Sequence, residues 1–323
     1  MVTPTTPPTL DVIAPISLAI RRVKTVLFAP FDLSKWLAVG FCAWLAWLGE
    51  GWSGANFNLP SRHRVQRGDL EGLGHFLREN LTWLVPLAVF VGLFGLAVWL
   101  LFTWLSSRGR FMFLNSVARN SSEIANPWRN YSRQGDSVFL FRILFGIISL
   151  VLFAPIVVTL VVSVLTMARG GRGDGAALLL LLCAVCLLAA LILLFLIIGK
   201  FLTDFVVPIM MLRRVNVLAG WREFSALVRA HPGAFLLYLL FQIVIQMVLG
   251  VLVLLVVVGT CCLAGCLLVL PYIGTVFLLP ILVFERAYSA HYLAQLGPDF
   301  DVFAAPVSPP GLPSGAPTLG PTI

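Results

Sequence analysis

The chain contains Trp128-Arg129-Asn130-Tyr131-Ser132, a stretch that returns 93 residues later as Trp221-Arg222-Glu223-Phe224-Ser225. Each copy lies in a charged, amphipathic segment directly before a long apolar run, about 137–167 after the first and about 234–258 after the second. An apolar stripe flanked by cations is typical of a helix that lies in the plane of a membrane interface. The pattern therefore predicts a repeated unit, in which an interfacial helix leads into a transmembrane hairpin.

The composition is that of an integral membrane protein. Of the 323 residues 59% are hydrophobic and 11% are charged, and the mean hydropathy is +0.98. Soluble domains are about 45–50% apolar and about 25% charged, so an ordinary soluble globule is excluded. Apolar runs of about 18 or more residues are long enough to cross the hydrocarbon core of a bilayer. The sequence predicts an all-α integral membrane protein with six transmembrane helices, at about 33–48, 81–105, 137–167, 176–199, 234–258 and 266–284.

The six predicted spans form three hairpin units, each preceded by a cytoplasmic interfacial amphipathic helix. The units cover about 10–105, 106–207 and 208–290, within one membrane domain at 10–303. The first unit lacks the tryptophan and has Ile20-Arg21 in its place. The Pro/Thr-rich residues 1–9 and the Pro-rich tail 304–323 are expected to be disordered.

Two interpretations of the segment from Leu10 to Ala29 remain open. Its apolar residues recur at three- and four-residue spacing, as in an interfacial helix, and are Ile13, Ile16, Ile20, Val23 and Leu27. The same pattern also fits an ordinary helix packed in the bundle. In the region of the first copy of the motif, Asn126-Pro127 predicts a helix that starts at Trp128, and Phe111 to Leu114 are expected to lie at the interface.

The basic residues predict the orientation. An even number of spans returns the chain to the side on which it began. Of the 22 Lys and Arg, sixteen lie on the side of the N-terminus and six on the other, whereas the acidic residues divide nine to five. Such a bias of cations follows the positive-inside rule. We expect a multi-pass protein of the cell (plasma or inner) membrane with both termini in the cytoplasm, and the net charge of +8 needs no nucleic acid to explain it.

Gln242 and Gln246 are the strongest polar feature within a predicted span, and they lie one helical turn apart. Polar side chains at membrane depth face the bundle interior, where they either bond between helices or line a transport path. No Asp, Glu, Lys or Arg is expected near the middle of a span, which argues against proton- or sodium-coupled transport. Ala88 and Gly92 form a small-xxx-small pair that favours close approach of another helix.

Trp128, Arg129, Trp221 and Arg222 are the predicted lipid- or partner-binding residues. A guanidinium group binds lipid phosphates or a partner's carboxylates through paired hydrogen bonds. The alternative is that both copies only anchor their helices at the interface.

No catalytic, cofactor or metal site is predicted. His63 and His75 in the external loop match no zinc spacing, and Cys183-x-x-Cys186 lies within a span, where thiols pack as small hydrophobes. There is no serine-histidine-acid set, paired carboxylates, P-loop or dinucleotide fingerprint, so we expect no enzyme. An external disulfide remains open among Cys261, Cys262 and Cys266.

The closing stretch Glu285-Arg286-Ala287-Tyr288-Ser289-Ala290-His291-Tyr292-Leu293-Ala294-Gln295-Leu296-Gly297-Pro298 and the repeated helix-plus-hairpin unit resemble a known group of families. These are uncharacterised bacterial multi-pass proteins grouped near the glycerophosphoryl diester phosphodiesterase membrane domain, and the resemblance covers about residues 10–303. Better-known members carry a soluble phosphodiesterase domain after the membrane part. This chain continues instead into a Pro-rich tail, so the resemblance implies no diesterase activity.

These observations predict a non-enzymatic accessory or scaffold protein, whose cytoplasmic helices engage membrane lipids, a protein partner or a second copy of the chain. The alternative is a permease or exporter for a small or lipid-like solute, which would use helix kinks at Pro155, Pro271 and Pro280 and the Gln242/Gln246 site.

Overall fold

The computed structural model describes residues 10–48, 80–168, 175–260 and 263–304. Of these residues 88% are helical, and none of them forms a strand. The predictions for residues 1–9, for the loop with His63 and His75, for Cys261 and Cys262, and for 305–323 lie outside the described residues.

The described helices are numbered here in chain order. They are α1 (Ala14–Val23), α2 (Leu33–Trp47), α3 (Leu81–Arg119), α4 (Ala125–Asn130), α5 (Ser132–Ala168), α6 (Gly175–Phe201), α7 (Val207–Arg213), α8 (Val217–Ala230), α9 (Pro232–Gly259), α10 (Leu263–Val269), α11 (Pro271–Phe277) and α12 (Leu279–Ala294). Two π-helical segments, Lys24–Phe28 and Leu202–Val206, extend α1 and join α6 to α7.

Four helical stretches are long and apolar enough to cross a membrane: Thr82–Arg119, Ser132–Met167, Leu178–Arg213 and Pro232–Gly259. A fifth candidate is the pair α11 and α12, which is bent by 63°. The first predicted span corresponds to α2, which has 15 residues and a length of about 22 Å, short of the ~30 Å core. The described chain thus has four or five candidate spans, where the sequence predicted six.

The molecule has an apolar end and a compact end. Large hydrophobic side chains along the long helices stay exposed, for example Phe90 at 68% and Leu150 at 69%. A contiguous core lies instead around Phe111, Phe205 and Tyr288, all of which are almost fully buried. We call this compact end the collar; it consists of α1, the part of α3 from Ser106 on, α4, residues 202–230 and α12. The apolar end has the surface that a lipid environment requires.

Three local predictions in the second unit are wrong. Phe111 to Leu114 do not lie at a surface, because α3 runs unbroken to Arg119 and buries them in the collar. The next helix begins at Ala125 and not at Trp128, and Asn126 does not cap it but donates to Glu123 Oε2 at 2.7 Å. The pair Gly135-Asp136 also predicts the end of one helix and the cap of the next, but both residues lie inside α5.

The segment that contains α1 packs against α12 in the collar. The Tyr288 hydroxyl donates to the carbonyl of Val12 at 3.0 Å, and Asp11 and Gln295 exchange two hydrogen bonds of 2.8 Å. The face that contacts the collar matches the predicted stripe only in part: Leu27 is buried and Ile16 and Val23 pack against the core, whereas Ile13 is 64% and Ile20 46% exposed. The buried positions on this segment are Val12, Pro15, Ala19, Val26 and Leu27.

The same order of elements occurs twice in the described chain. The long helix α3 ends at Asn120, which has a left-handed conformation (φ 55°), and the short α4 and the long α5 follow. The helix α7 ends in the same way at Arg214 (φ 56°), and α8 and the long α9 follow. The internal repeat itself stays a prediction.

Candidate functional site

A cavity of about 520 Å³ lies where the collar meets the apolar helices. We call it the polar cavity, because its lining includes charged and polar side chains: Arg110, Lys200, Thr203, Asp204, Gln246, Glu285 and Arg286. The lining also includes apolar side chains: Trp47, Phe113, Phe195, Leu196 and Leu282. Binding sites for small molecules occupy about 300–1,000 Å³ and combine an apolar lining with a few convergent polar groups. The polar cavity has both properties.

The π-helical segment Leu202–Val206 contributes Thr203 and Asp204 to the lining of the polar cavity. Arg286 of α12 donates to the backbone carbonyl of Thr203, and Arg110 of α3 donates to the Thr203 hydroxyl at 2.9 Å. A π-helical turn shifts the backbone hydrogen bonds from i→i+4 to i→i+5 and often occurs at functional sites. Here Thr203 brings two arginines from two other helices to the same place.

The two carboxyl groups of the cavity each have a partner. Asp204 lies 3.1 Å from Lys200 Nζ and accepts from the Tyr238 hydroxyl at 2.9 Å. Glu285 accepts from Gln246 Nε2 at 2.7 Å. Arg286 is 5% exposed and forms no ion pair with a carboxylate of the described residues. Among the described residues, the lining of the cavity thus combines three cations with two carboxylates.

The structure separates the two glutamines that the sequence predicted as one polar site. Gln246 lines the polar cavity, whereas Gln242 is 5% exposed and its Oε1 has no hydrogen-bond partner among the described residues. Gln246 lies about 21 Å along α9 from its start, near the middle of this 28-residue helix. Because Glu285 accepts a hydrogen bond from Gln246, its carboxyl group lies next to the middle of the candidate span α9. We expected no charged residue at this depth.

Trp128 is held inside the collar. Its ring lies edge-on to Trp104 at 5.8 Å, and the Arg108 guanidinium lies 4.4 Å from the Trp104 ring and 5.2 Å from the Trp128 ring. Asp136 fixes this arrangement, because it forms an ion pair with Arg108 at 2.9 Å and accepts from the Trp104 indole at 3.0 Å. Trp128 therefore stabilises the packing of α4 on α3.

Trp221 is the counterpart of Trp128 in α8. Its ring lies 6.0 Å from Phe141 and 5.7 Å from Phe224, and its buried indole nitrogen has no partner among the described residues. The neighbouring arginines behave differently: Arg129 and Arg222 are exposed, and neither side chain forms a hydrogen bond or an ion pair with another described residue. In both copies the tryptophan packs inward and the arginine points outward.

Four charged residues of the cavity were not predicted from the sequence as members of one site: Arg110, Asp204, Glu285 and Arg286. One sequence signal for them existed, because these charged residues lie at the ends of three separate apolar runs. Without knowledge of the residues that the fold places beside them, each of the four was interpreted as an ordinary charge at the membrane interface. Among the described residues no group of three or more His, Cys, Asp or Glu could hold a metal ion, and Cys183, Cys186 and Cys266 are exposed free thiols.

Comparison with known proteins gives one match. Residues 10–294 match a family described as a family of unknown function (DUF7544). No curated protein and no solved structure is significantly similar to the chain. The match carries no link to the glycerophosphoryl diester phosphodiesterase membrane domain, so that resemblance stays a prediction.

Proposed function

The chain belongs to DUF7544, a family of unknown function, and we propose that it is a non-enzymatic accessory or scaffold protein of the cell membrane. In this proposal the collar lies at the cytoplasmic face. Its exposed arginines bind lipid headgroups or the acidic residues of a protein partner.

The arrangement of the repeated motif carries this proposal. Trp128 and Trp221 pack into the collar and fix the position of their short helices. Arg129 and Arg222 are thereby held on the surface with all their donors available. An exposed guanidinium beside an anionic leaflet contributes about 1 kcal/mol to membrane association. Two such groups on rigid helices form a binding surface, whereas anchoring alone requires only the tryptophans.

The proposal includes six spans, in three units, with both termini in the cytoplasm. The paired hydrogen bonds between Asp11 and Gln295 support an even number of spans, because they hold the two ends of the membrane domain together. The four long stretches already give an even number of spans. For the total to stay even, α2 and the bent pair α11–α12 must either both cross the membrane or both fail to cross it. They lie side by side, since the Trp36 indole donates to the carbonyl of Val276 at 3.2 Å and the Tyr272 hydroxyl to that of Leu37 at 3.0 Å. The helix α2 is short, and a locally thinner bilayer accommodates short spans.

A binding measurement tests the role of the arginines. The detergent-purified protein is titrated with phosphatidylglycerol at low salt, and the variant Arg129→Ala/Arg222→Ala is compared with Arg129→Lys/Arg222→Lys. At about 1 kcal/mol for each cation, the alanine variant should bind roughly tenfold to thirtyfold more weakly. The lysine variant keeps the charge and should bind nearly as well as the original chain. Equal binding by the alanine variant would contradict a lipid-binding role of these arginines.

The second candidate function is a permease or exporter for a small or lipid-like solute. The polar cavity supports it, because Gln246 and Glu285 bring polar groups to the middle of α9 beside a 63° bend between α11 and α12. Complementation of a strain that lacks this gene separates the two functions. Loss of complementation by Gln242→Leu/Gln246→Leu, with Arg129→Ala/Arg222→Ala fully active, would favour the permease over the scaffold.

A further inference from the structure

We propose that Glu285 takes up and releases a proton inside the polar cavity, at the depth of the middle of α9. This inference rests on the proposed location in a membrane. It deepens the second candidate function, because it makes the proton the coupling ion of a permease. It is independent of the exposed arginines of the collar.

Two contacts between α12 and α9 fix the depth of Glu285. The Tyr292 hydroxyl donates to the carbonyl of Ala234 at 2.8 Å, near the start of α9, and Gln246 Nε2 donates to Glu285 Oε1 at 2.7 Å. The two helices therefore run antiparallel. Since Gln246 lies twelve residues after Ala234, the second contact is about 18 Å further along α9. Glu285 thus lies at the level of the hydrocarbon core, which is about 30 Å thick, rather than at its surface.

The surroundings of Glu285 suit a group that binds a proton. An isolated charge is costly at this depth, and a proton on the carboxyl group removes the charge. The hydrogen-bond partner of Glu285 is the neutral amide of Gln246, and Glu285 forms no ion pair among the described residues. Ionisable side chains inside membrane segments are rare and mark proton and ion pathways. The sequence argued against proton coupling only because no charged residue was expected near the middle of a span.

The other charged groups in the lining of the cavity come from four elements. They are Arg110 of α3, Lys200 of α6, Asp204 of the π-helical segment and Arg286 of α12. Asp204 is buried, lies 3.1 Å from Lys200 Nζ and accepts from the Tyr238 hydroxyl at 2.9 Å. A cation therefore balances the charge of Asp204.

The two carboxyl groups of the cavity differ in depth. Tyr238, the partner of Asp204, lies eight residues before Gln246, which is about 12 Å along α9. The paired carboxylate is thus nearer to the start of α9, and the carboxyl group beside the amide is deeper. Carboxyl groups placed in series along a membrane helix are typical of proton relays.

The proton transfer needs no further reactant. The cavity volume of about 520 Å³ has room for several water molecules at ~30 Å³ each. Uptake forms one O–H bond between a proton from water and a carboxylate oxygen of Glu285, and release breaks this bond and returns the proton to water. Each transfer changes the charge of α12 by one unit, six residues after Leu279, where α12 begins at the 63° bend with α11. The charge therefore changes beside a helix break that the permease candidate uses.

Infrared spectroscopy of the detergent-purified chain tests the inference. Spectra are recorded from about pH 6 to about pH 9, a range in which exposed carboxyl groups with an ordinary pKa of about 4 stay ionised. We expect the C=O stretching band of a protonated carboxyl group at the lower end of this range and its loss at the upper end. The band should be absent in Glu285→Gln, which keeps the shape of the side chain but does not titrate. It should shift in D₂O, because water reaches the group.

The two glutamines of α9 provide a matched pair of variants. Gln246→Leu removes the hydrogen bond to Glu285 and should change the frequency of the band. Gln242 lies one turn earlier and does not line the cavity, so Gln242→Leu should leave the band unchanged. Thermal unfolding of all three variants confirms that they are folded.

Three results would overturn the inference: a band that stays constant over the whole pH range, a band that persists in Glu285→Gln, or a band that does not shift in D₂O. Equal effects of Gln246→Leu and Gln242→Leu would contradict the depth assigned to Glu285. Failure of the proposed scaffold function looks different, because it appears in the low-salt titration of the arginine variants and leaves this band unchanged.

Discussion

Gly109 sets how closely α2 and α3 approach each other. A Cβ atom at this position would lie 2.6 Å from the backbone nitrogen of Ala46 and 2.6 Å from the carbonyl carbon of Leu45. One turn earlier in α3, the Ser106 hydroxyl donates to the carbonyl of Ala46 at 2.7 Å. Backbone atoms cannot move aside as a flexible side chain can, so any residue with a Cβ would push the two helices apart.

The variant Gly109→Ala should therefore destabilise the protein although alanine favours helix. We expect the free energy of unfolding to fall by about 1–3 kcal/mol, the usual cost of forced overpacking. Gly92→Ala is the control, since a Cβ atom there meets nothing within 4 Å and alanine gains up to about 1 kcal/mol of helix propensity. Thermal unfolding in detergent measures both variants. Equal melting temperatures for the two would show that α2 and α3 are not in close contact.

Sequence patterns predicted some of these residue-level features and missed others. Ala88 and Gly92 have the small-xxx-small spacing of a helix contact, yet Gly92 has no neighbour within the described chain. Gly109 carries no such pattern because its partner lies on α2, more than 60 residues earlier. A local pattern identifies a feature only when the partner is also local, as in a helix cap.

At the scale of single elements, α2 shows what a cap contributes to a short helix. The Asp32 carboxylate accepts from the backbone N–H of Ser34 at 2.8 Å, and its carbonyl accepts the first helical bond from Trp36 at 2.9 Å. With only 15 residues, α2 has little helical stability of its own. The cap therefore stabilises the element that carries Trp47 to the polar cavity.

Replacement of Asp32 is expected to destabilise α2 more than the other helices. Asp32→Ala should cost about 1 kcal/mol, whereas Asp32→Asn keeps a good N-cap and should cost much less. Amide hydrogen exchange resolves the effect by element, and protection should fall in α2 before it falls in α3. Uniform loss of protection along the chain, or equal effects of both substitutions, would contradict a local capping role.

The lengths of the elements were harder to predict than their existence. The apolar runs predicted α3, α5, α6 and α9 because hydrocarbon length demands such runs. The continuation of α3 to Arg119 was missed, since Ser106, Arg108 and Arg110 look like residues at a membrane boundary. They are accommodated inside the protein because each finds a partner on another element: Ala46, Asp136 and Thr203.

At the scale of the whole molecule, the orientation is the prediction with the broadest consequence. We expect reporters fused before Met1 and after Ile323 to lie on the same side of the membrane, in the cytoplasm. The contact between Asp11 and Gln295 predicts the same side for both, and the bias of basic residues predicts that this side is the cytoplasm. Protease protection of inside-out and right-side-out vesicles measures both positions. Opposite locations of the two reporters would imply an odd number of spans and contradict this arrangement.

The polar cavity could not be predicted from the sequence, because its residues are far apart in the chain and meet only in the folded molecule. Its central contacts join Thr203 to Arg110 across 93 residues and to Arg286 across 83 residues. No periodicity or spacing rule connects positions so far apart. The helical class and the membrane location followed from composition, which depends only on the total apolar content and its distribution.

The packing of α1 against α12 also has a consequence for the order of events during synthesis. Asp11 finds its partner Gln295 only after 284 further residues have been made, which takes roughly 15–60 s at ~5–20 residues per second. For that time the face of α1 that carries Val12, Pro15 and Ala19 has no collar to cover it. We therefore expect this face of α1 to be covered only after α12 has been made. A chain interrupted before α12 would present an exposed apolar helix to the quality-control machinery of the cell.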